Sequence, residues 1–108
     1  AETLLEGHPD VTAIVAANDL MALGCYDAIA AAGLRCPADI SVVGFNDMPF
    51  ADRLSPPLTT IHFDHYEMGD AAARLLLRQA RVDRTPSSAV HIELETRLVV
   101  RRSTAAPR

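Results

Sequence analysis

Two stretches decide the fold: Ala13-Ile14-Val15-Ala16-Ala17-Asn18-Asp19 and Ile40-Ser41-Val42-Val43-Gly44-Phe45-Asn46-Asp47. Each is a short run rich in Val, Ile and Ala that ends abruptly on Asn-Asp. Runs of that length, apolar on both faces, fit strands buried on both sides of a parallel sheet. Between them, Leu20 to Ala32 reads as a helix closed by Gly33, which supplies the left-handed residue a helix end needs, and Pro37 prevents its resumption. Strand, helix, strand is a crossover unit, and such units are almost always right-handed with parallel strands. The fold class is therefore α/β. Both Asn-Asp pairs fall at the carboxyl ends of neighbouring strands, the edge where open α/β sheets bind ligands.

Working outward, Ala1 to Gly7 reads as the end of a helix with Leu4 and Leu5 turned inward, His8-Pro9-Asp10 as a loop, and Val11 to Ala17 as the full first strand. Asn18 or Asp19 caps the following helix. At 100° per residue that helix has two apolar faces. Met21, Cys25, Ala28, Ile29 and Ala32 form one, suited to the sheet. Leu23, Tyr26 and Ala30 form another nearly opposite, which marks either a subunit interface or a helix sandwiched inside a larger domain. Met48 to Pro57 is an irregular loop with three prolines, and Leu58 to Ile61 is a third extended piece. Asp64 and Glu67 have capping-box spacing and open a second helix, Tyr66 to Ala80. Asp70 and Arg74 on it can pair, and Met68, Ala72, Leu75, Leu76 and Ala80 form a stripe that needs an apolar partner. Val82 to Ser88 is a polar linker, Val90 to Leu94 alternates like a strand, Arg97 to Arg101 is a further strand, and Ser103 onward reads as a frayed tail.

At 108 residues, nearly half of them apolar, the chain can bury one small core. Ala1 to Leu5 resembles a helix already under way, so a fragment or excised piece of a longer chain is expected. Net charge is −4 and all ten basic residues are arginine. Arg81, Arg84, Arg97, Arg101, Arg102 and Arg108 crowd the last quarter, but without aromatic interleaving or a reading helix they do not form a nucleic-acid interface. Cys25 and Cys36 follow no metal or redox spacing, and Cys25 reads as a small buried hydrophobe. Unpatterned thiols and no secretory leader fit a cytoplasmic protein, and no apolar run reaches membrane-spanning length.

Catalytic motifs are absent: there is no Gly-rich phosphate loop, nucleophile elbow or zinc-binding histidine pair. His62 and His65 lie three apart, but His62 sits on the extended piece, so no metal site is expected, and no cofactor. Asp19 and Asp47 are an acid/base candidate pair. An Asn beside each fits hydrogen bonding to a polyol as well or better, because Asn both donates and accepts and Asp accepts strongly from hydroxyls. For Asp19 helix capping is the preferred role. For Asn18, Asn46 and Asp47, capping or turn formation and ligand contact stand side by side.

Ala13 through Gly24, with Asn18-Asp19-Leu20-Met21-Ala22-Leu23 at its centre, resembles a characteristic stretch of the lactose-repressor (LacI/GalR) family of bacterial transcription regulators. Gly33 to Asp47, Pro56-Pro57-Leu58-Thr59-Thr60-Ile61 and the closing Glu95 to Thr104 resemble its later landmarks in order. The resemblance implies a two-lobed, periplasmic-binding-protein type I fold of which this chain is a C-terminal fragment. Residues 1–62 would belong to the C-terminal lobe, 63–89 would cross to the N-terminal lobe with one helix, and 90–108 would return as strands and tail. It also implies an effector, a sugar or sugar derivative, in the cleft between lobes. Asn18, Asn46, Asp47 and His65 match effector-contacting positions, with Asn46 standing where the family carries the first acid of an Asp-Asp pair. Leu23, Asp27 and Leu54 match positions of the family's dimer interface, to which Tyr26 is added by the second apolar face. The implied partners are a small-molecule effector, a second copy of the chain, and operator DNA through an N-terminal domain absent here; no membrane is implied. A periplasmic sugar-binding protein for transport is the alternative, and a glycoside hydrolase a more distant one.

Overall fold

The computed structural model describes residues 1–81 and 90–107; the linker read at Val82 to Ser88 lies outside them. Helix α1 (Glu2–Gly7) leads to strand β1 (Ala13–Val15), helix α2 (Asp19–Ala31) and strand β2 (Ser41–Phe45). A 3-10 turn at Ala51–Arg53 precedes β3 (Thr59–Phe63), the long α3 (His65–Arg81) and β4 (Thr96–Val99). The strands form one sheet in the order β1-β2-β3-β4. β1 and β2 run parallel with Ile14 beside Val42, and β2 and β3 run parallel with Gly44 beside Thr60. Residues 1–62 with 97–108 form one compact unit, and residues 63–96 a second. Among the described residues no helix is long and apolar enough to cross a membrane.

In the first unit the core lies between α2 and one face of the sheet. Ile14, Ala16, Val42 and Leu58 meet Ala22, Cys25 and Ile29 there, with Ile40 and Ala51 closing the ends. The other face is not covered in the same way. Val15 is 80% exposed and Phe45 also reaches solvent, so β1 alternates instead of being buried on both sides as its composition predicts. The apolar run reads alike in both cases; only the neighbours decide.

α2 begins one residue before its predicted start, and its inner stripe is shifted. Ala22 is buried where the spacing predicts Met21, and Met21 and Ala32 face outward. The phase is set at the first turn, where Asp19 is drawn fully into the interior. Positions 22, 25 and 29 then follow inward at helical spacing. At the other end Gly33 adopts φ 71°, as its place after the helix requires. In α1, Leu5 packs against the core while Leu4 stays exposed.

The expected frayed tail is instead built into the sheet. β2 and β3 diverge below Thr59, and the backbone groups there need partners. Ser103 is fully buried at that place. Its hydroxyl donates to the Val42 carbonyl (2.6 Å) and accepts from Thr59 N–H (2.7 Å), and its carbonyl accepts from Val42 N–H (2.8 Å). Ser41 and Ala105 add a reciprocal pair beyond it.

In the second unit Asp64 accepts from Glu67 N–H at 2.9 Å, so the capping spacing opens α3 as read. Asp70 accepts from the Arg74 guanidinium at 2.7 Å. Residues 90–94 are not a strand. Their alternation serves a helix: Val90, Ile92 and Leu94 line a groove with Ala71, Ala72 and Leu75 of α3. Met68, Leu76 and Leu77 remain exposed.

Candidate functional site

The two Asn-Asp pairs occupy the carboxyl ends of β1 and β2. Val15 and Val43 are paired in register, and Asn18 and Asn46 each follow three residues later. Within each pair the two residues do different work. Asn18 is the N-cap of α2: its side-chain oxygen accepts from Met21 N–H at 2.8 Å. This engages the acceptor end of the carboxamide and leaves its NH2 to donate at the rim.

Asp19, read as a cap, is not one. Its carboxylate reaches past β2 to β3, accepting from the Thr60 hydroxyl (2.6 Å), and also accepts from Met48 N–H (2.7 Å). α2, β3 and the loop after β2 are thereby tied at one buried group. Gly44 makes room for it. A Cβ there would overlap Oδ1 of Asp19 and lie 2.9 Å from Cδ2 of Leu58.

The second pair sits in a left-handed turn, Asn46 at φ 112° and Asp47 at φ 51°. Asn and Asp are among the few residues other than Gly that tolerate such backbone. Asn46 N–H donates to the Ile61 carbonyl at 2.9 Å and Asp47 N–H to the Thr60 hydroxyl at 3.4 Å. The Asp47 carboxylate is held at both oxygens: Oδ1 accepts from Arg101 Nη2 at 2.7 Å, and Oδ2 lies 3.1 Å from His62 Nδ1. Arg101 is itself fixed, donating Nη1 to the Leu58 carbonyl (2.9 Å) and its backbone N–H to the Thr59 hydroxyl (3.0 Å). Sequence reading missed both partners. Arg101 lies 54 residues from Asp47, and only the pairing of the chain's end with β3 brings it there.

Burial pushes the Asp47 pKa up, but the Arg101 guanidinium and then His62 outweigh it, and the net shift is downward from 3.8. A depressed carboxylate contributes stability that is complete above the unfolded pKa and lost as pH falls through the folded one. The thermal midpoint should therefore fall as pH drops below about 4, and Arg101→Met should flatten that fall. Equal slopes for the two proteins in melts across this range would show that the pair contributes nothing.

His65 belongs to the second unit. It is the first residue of α3 and exposed, its ring 4.3 Å from that of Phe63. Of the residues read as an interface, Leu23 and Asp27 lie exposed on α2. Tyr26 is half-buried, its hydroxyl donating to the Pro56 carbonyl at 2.9 Å. This joins α2 to the loop that carries Leu54, itself half-buried against the core. Burial pushes the Tyr26 phenol well above its usual value. Among the described residues no cluster of three or more His, Cys, Asp or Glu could hold a metal. A groove of about 520 Å³ between α1 and α2, lined by Leu5, Ala28, Ala31 and Leu34 with Glu2 and Glu6, lies away from the Asn-Asp edge.

Residues 1–104 match the family model of the periplasmic binding protein-like domain. The chain is similar to the lactose operon repressor of Rhizobium radiobacter, 46% identical over 103 residues that cover 95% of this chain and 87% of that protein. It superposes on the transcriptional regulator CelR in complex with cellobiose, with TM-score 0.79, 40% identity and 93% of this chain covered. The lac repressor dimer bound to operator and an anti-inducer gives TM-score 0.77 with 37% identity over 97% of this chain. The chain spans 30% of the CelR chain and 36% of the lac repressor chain. With residues 1–104 matched by the family model and nearly the whole chain similar to LacI-type repressors, the chain belongs to the LacI/GalR family, within its periplasmic-binding-protein-like effector-binding domain.

Proposed function

We propose that this chain is the effector-sensing and dimerising part of a LacI-type transcription regulator that responds to a sugar or sugar derivative. The observation that carries the proposal is the Asn18–Asn46 edge: two carboxamides at the ends of adjacent parallel strands, that of Asn18 held by Met21 N–H and that of Asn46 carried on a backbone tied to Ile61. Carboxamides both donate and accept, which suits the hydroxyls of a carbohydrate. The structural relative in complex with cellobiose supports the same ligand class. Asn18, Asn46, Asp47 and His65 are the proposed effector residues. Residues 1–62 are assigned to the C-terminal lobe, 63–89 to the segment crossing to the N-terminal lobe, and the remainder to the return. Effector binding would act on DNA by favouring one of two lobe arrangements, which requires different affinity for the two.

Titration calorimetry with cellobiose, lactose and ribose tests this. At least one should bind, and Asn46→Ala should weaken it about fivefold, the loss of one hydrogen bond of about 1 kcal/mol. No heat with any of them, or an unchanged affinity in the variant, would contradict the ligand class or the site. The protein is proposed to be cytoplasmic and not an enzyme; release of reducing ends from the disaccharides during the titration would refute the second point.

Leu23, Tyr26, Asp27 and Leu54 are the proposed dimer surface, supported by the exposure of Leu20 and Leu23 beside Tyr26. A thermal midpoint that rises over a tenfold concentration range, with a dimer in light scattering, is expected. Leu23→Arg should abolish the rise, since it places an unpaired charge in an apolar surface that dimerisation would remove from water. A monomer with a constant midpoint would remove the assignment.

A further inference from the structure

We infer that Arg101 and His62 are positioning residues that act through Asp47 to hold Asn46 in the left-handed conformation from which its carboxamide reads the effector. The inference rests on the effector-binding reading of Asn46 and adds the residues that set its geometry.

Asn46 and Asp47 are consecutive residues with positive φ, and neither is glycine. Such backbone persists only where the surroundings over-determine it. On one side Met48 N–H is held by the buried Asp19 carboxylate. On the other, both oxygens of Asp47 are held, by Arg101 and by His62. Arg101 spans from the Leu58 carbonyl to Asp47 with two different guanidinium nitrogens. The turn is thus braced against β3 at its root. Asp47 is 15% exposed and engaged twice. The half-buried Asn46 side chain makes no hydrogen bond among the described residues. Asp47 therefore braces the turn in addition to its proposed place at the effector, and the Asn46 carboxamide is the member of the pair with no protein partner among the described residues. An uncharged polyol fits this arrangement better than a cationic ligand, because Asp47 is already ion-paired with Arg101 and the Asp19 carboxylate is buried on Thr60 and Met48.

The test uses Arg101→Met, which keeps the apolar stem and removes the charge, Arg101→Lys, which restores the charge without the planar fork, and Asp47→Asn. The readouts are the three-bond HN–Hα coupling of Asn46, which reports its φ, and calorimetric affinity for cellobiose. Arg101→Met should move the coupling away from its wild-type value and weaken cellobiose by up to about fivefold, no more than removal of the Asn46 carboxamide itself, with Arg101→Lys recovering part of both. Asp47→Asn should give a change of the same kind, and the double variant should be no worse than either single one. Asp47→Asn carries the test if Arg101→Met fails to fold. An unchanged coupling in a folded variant overturns the inference, as does additivity in the double variant. Failure of wild-type protein to bind cellobiose would count against the effector class alone, because the coupling still decides whether Arg101 positions Asn46.

Discussion

Gly44→Ala should destabilise the chain by about 3 kcal/mol, at the upper end of what adding one methyl to a packed interior does. Gly44 has no unusual φ; its role is to let another residue approach. The strand backbone there lies directly beneath the Asp19 carboxylate, and the new Cβ would overlap Oδ1 while pressing on Leu58. Neither neighbour is a flexible side-chain end. Asp19 is pinned by Thr60 and Met48, and Leu58 is fully buried. Urea unfolding monitored by circular dichroism would measure the loss. A change under about 1 kcal/mol would mean that the carboxylate shifts easily and that the junction is looser than its geometry.

Asp19→Ala should have an effect of similar size, about 3 to 4 kcal/mol, for the opposite reason. It removes atoms and leaves Met48 N–H and the Thr60 hydroxyl without the charged acceptor each now has, at about 1.5–3 kcal/mol per hydrogen bond to a charged group. Asp19→Asn, which keeps one acceptor oxygen and the volume, should lose roughly half as much. The two sites also make a linked prediction. With the carboxyl gone, the space that the added methyl needs is vacant, so the Gly44→Ala, Asp19→Ala double variant should lose clearly less than the sum of the single losses. Additive losses in the same unfolding experiment would show that Gly44 is constrained by something other than Asp19.

The α/β class, the crossover unit and the edge carrying Asn18 and Asn46 were legible in sequence because they follow from local signals. Apolar runs stop on Asn-Asp, Gly33 and Pro37 close a helix, and Asp64 and Glu67 open another. What was not legible depended on contacts distant in sequence. Val15 reads as a core residue from its run and is exposed because nothing described covers that face of β1. Met21 reads as inward at ideal helical spacing and is outward because burial of Asp19 rotates the first turn. Val90 to Leu94 alternates like a strand, yet it lies along α3. Ser103 reads as tail because serine in a polar end carries no burial signal; its hydroxyl is needed only once β2 and β3 have diverged. The brace on Asp47 was hidden for the same reason, since Arg101 was one of six arginines in the last quarter and nothing local distinguished it. Asp19 is the instructive case: capping is the usual role of Asp after a strand, and here Asn18 fills that role and frees its neighbour to bind inward.

The most direct test of the effector-binding reading is a titration of cellobiose, and of lactose in parallel, into 15N-labelled protein, following the side-chain NH2 signals of Asn18 and Asn46. Both should move together and saturate at the same ligand concentration, while amides lining the α1–α2 groove at Ala28, Ala31 and Leu34 stay still. Shifts confined to that groove, with Asn18 and Asn46 unmoved, would contradict the reading and transfer the binding site to the other end of α2.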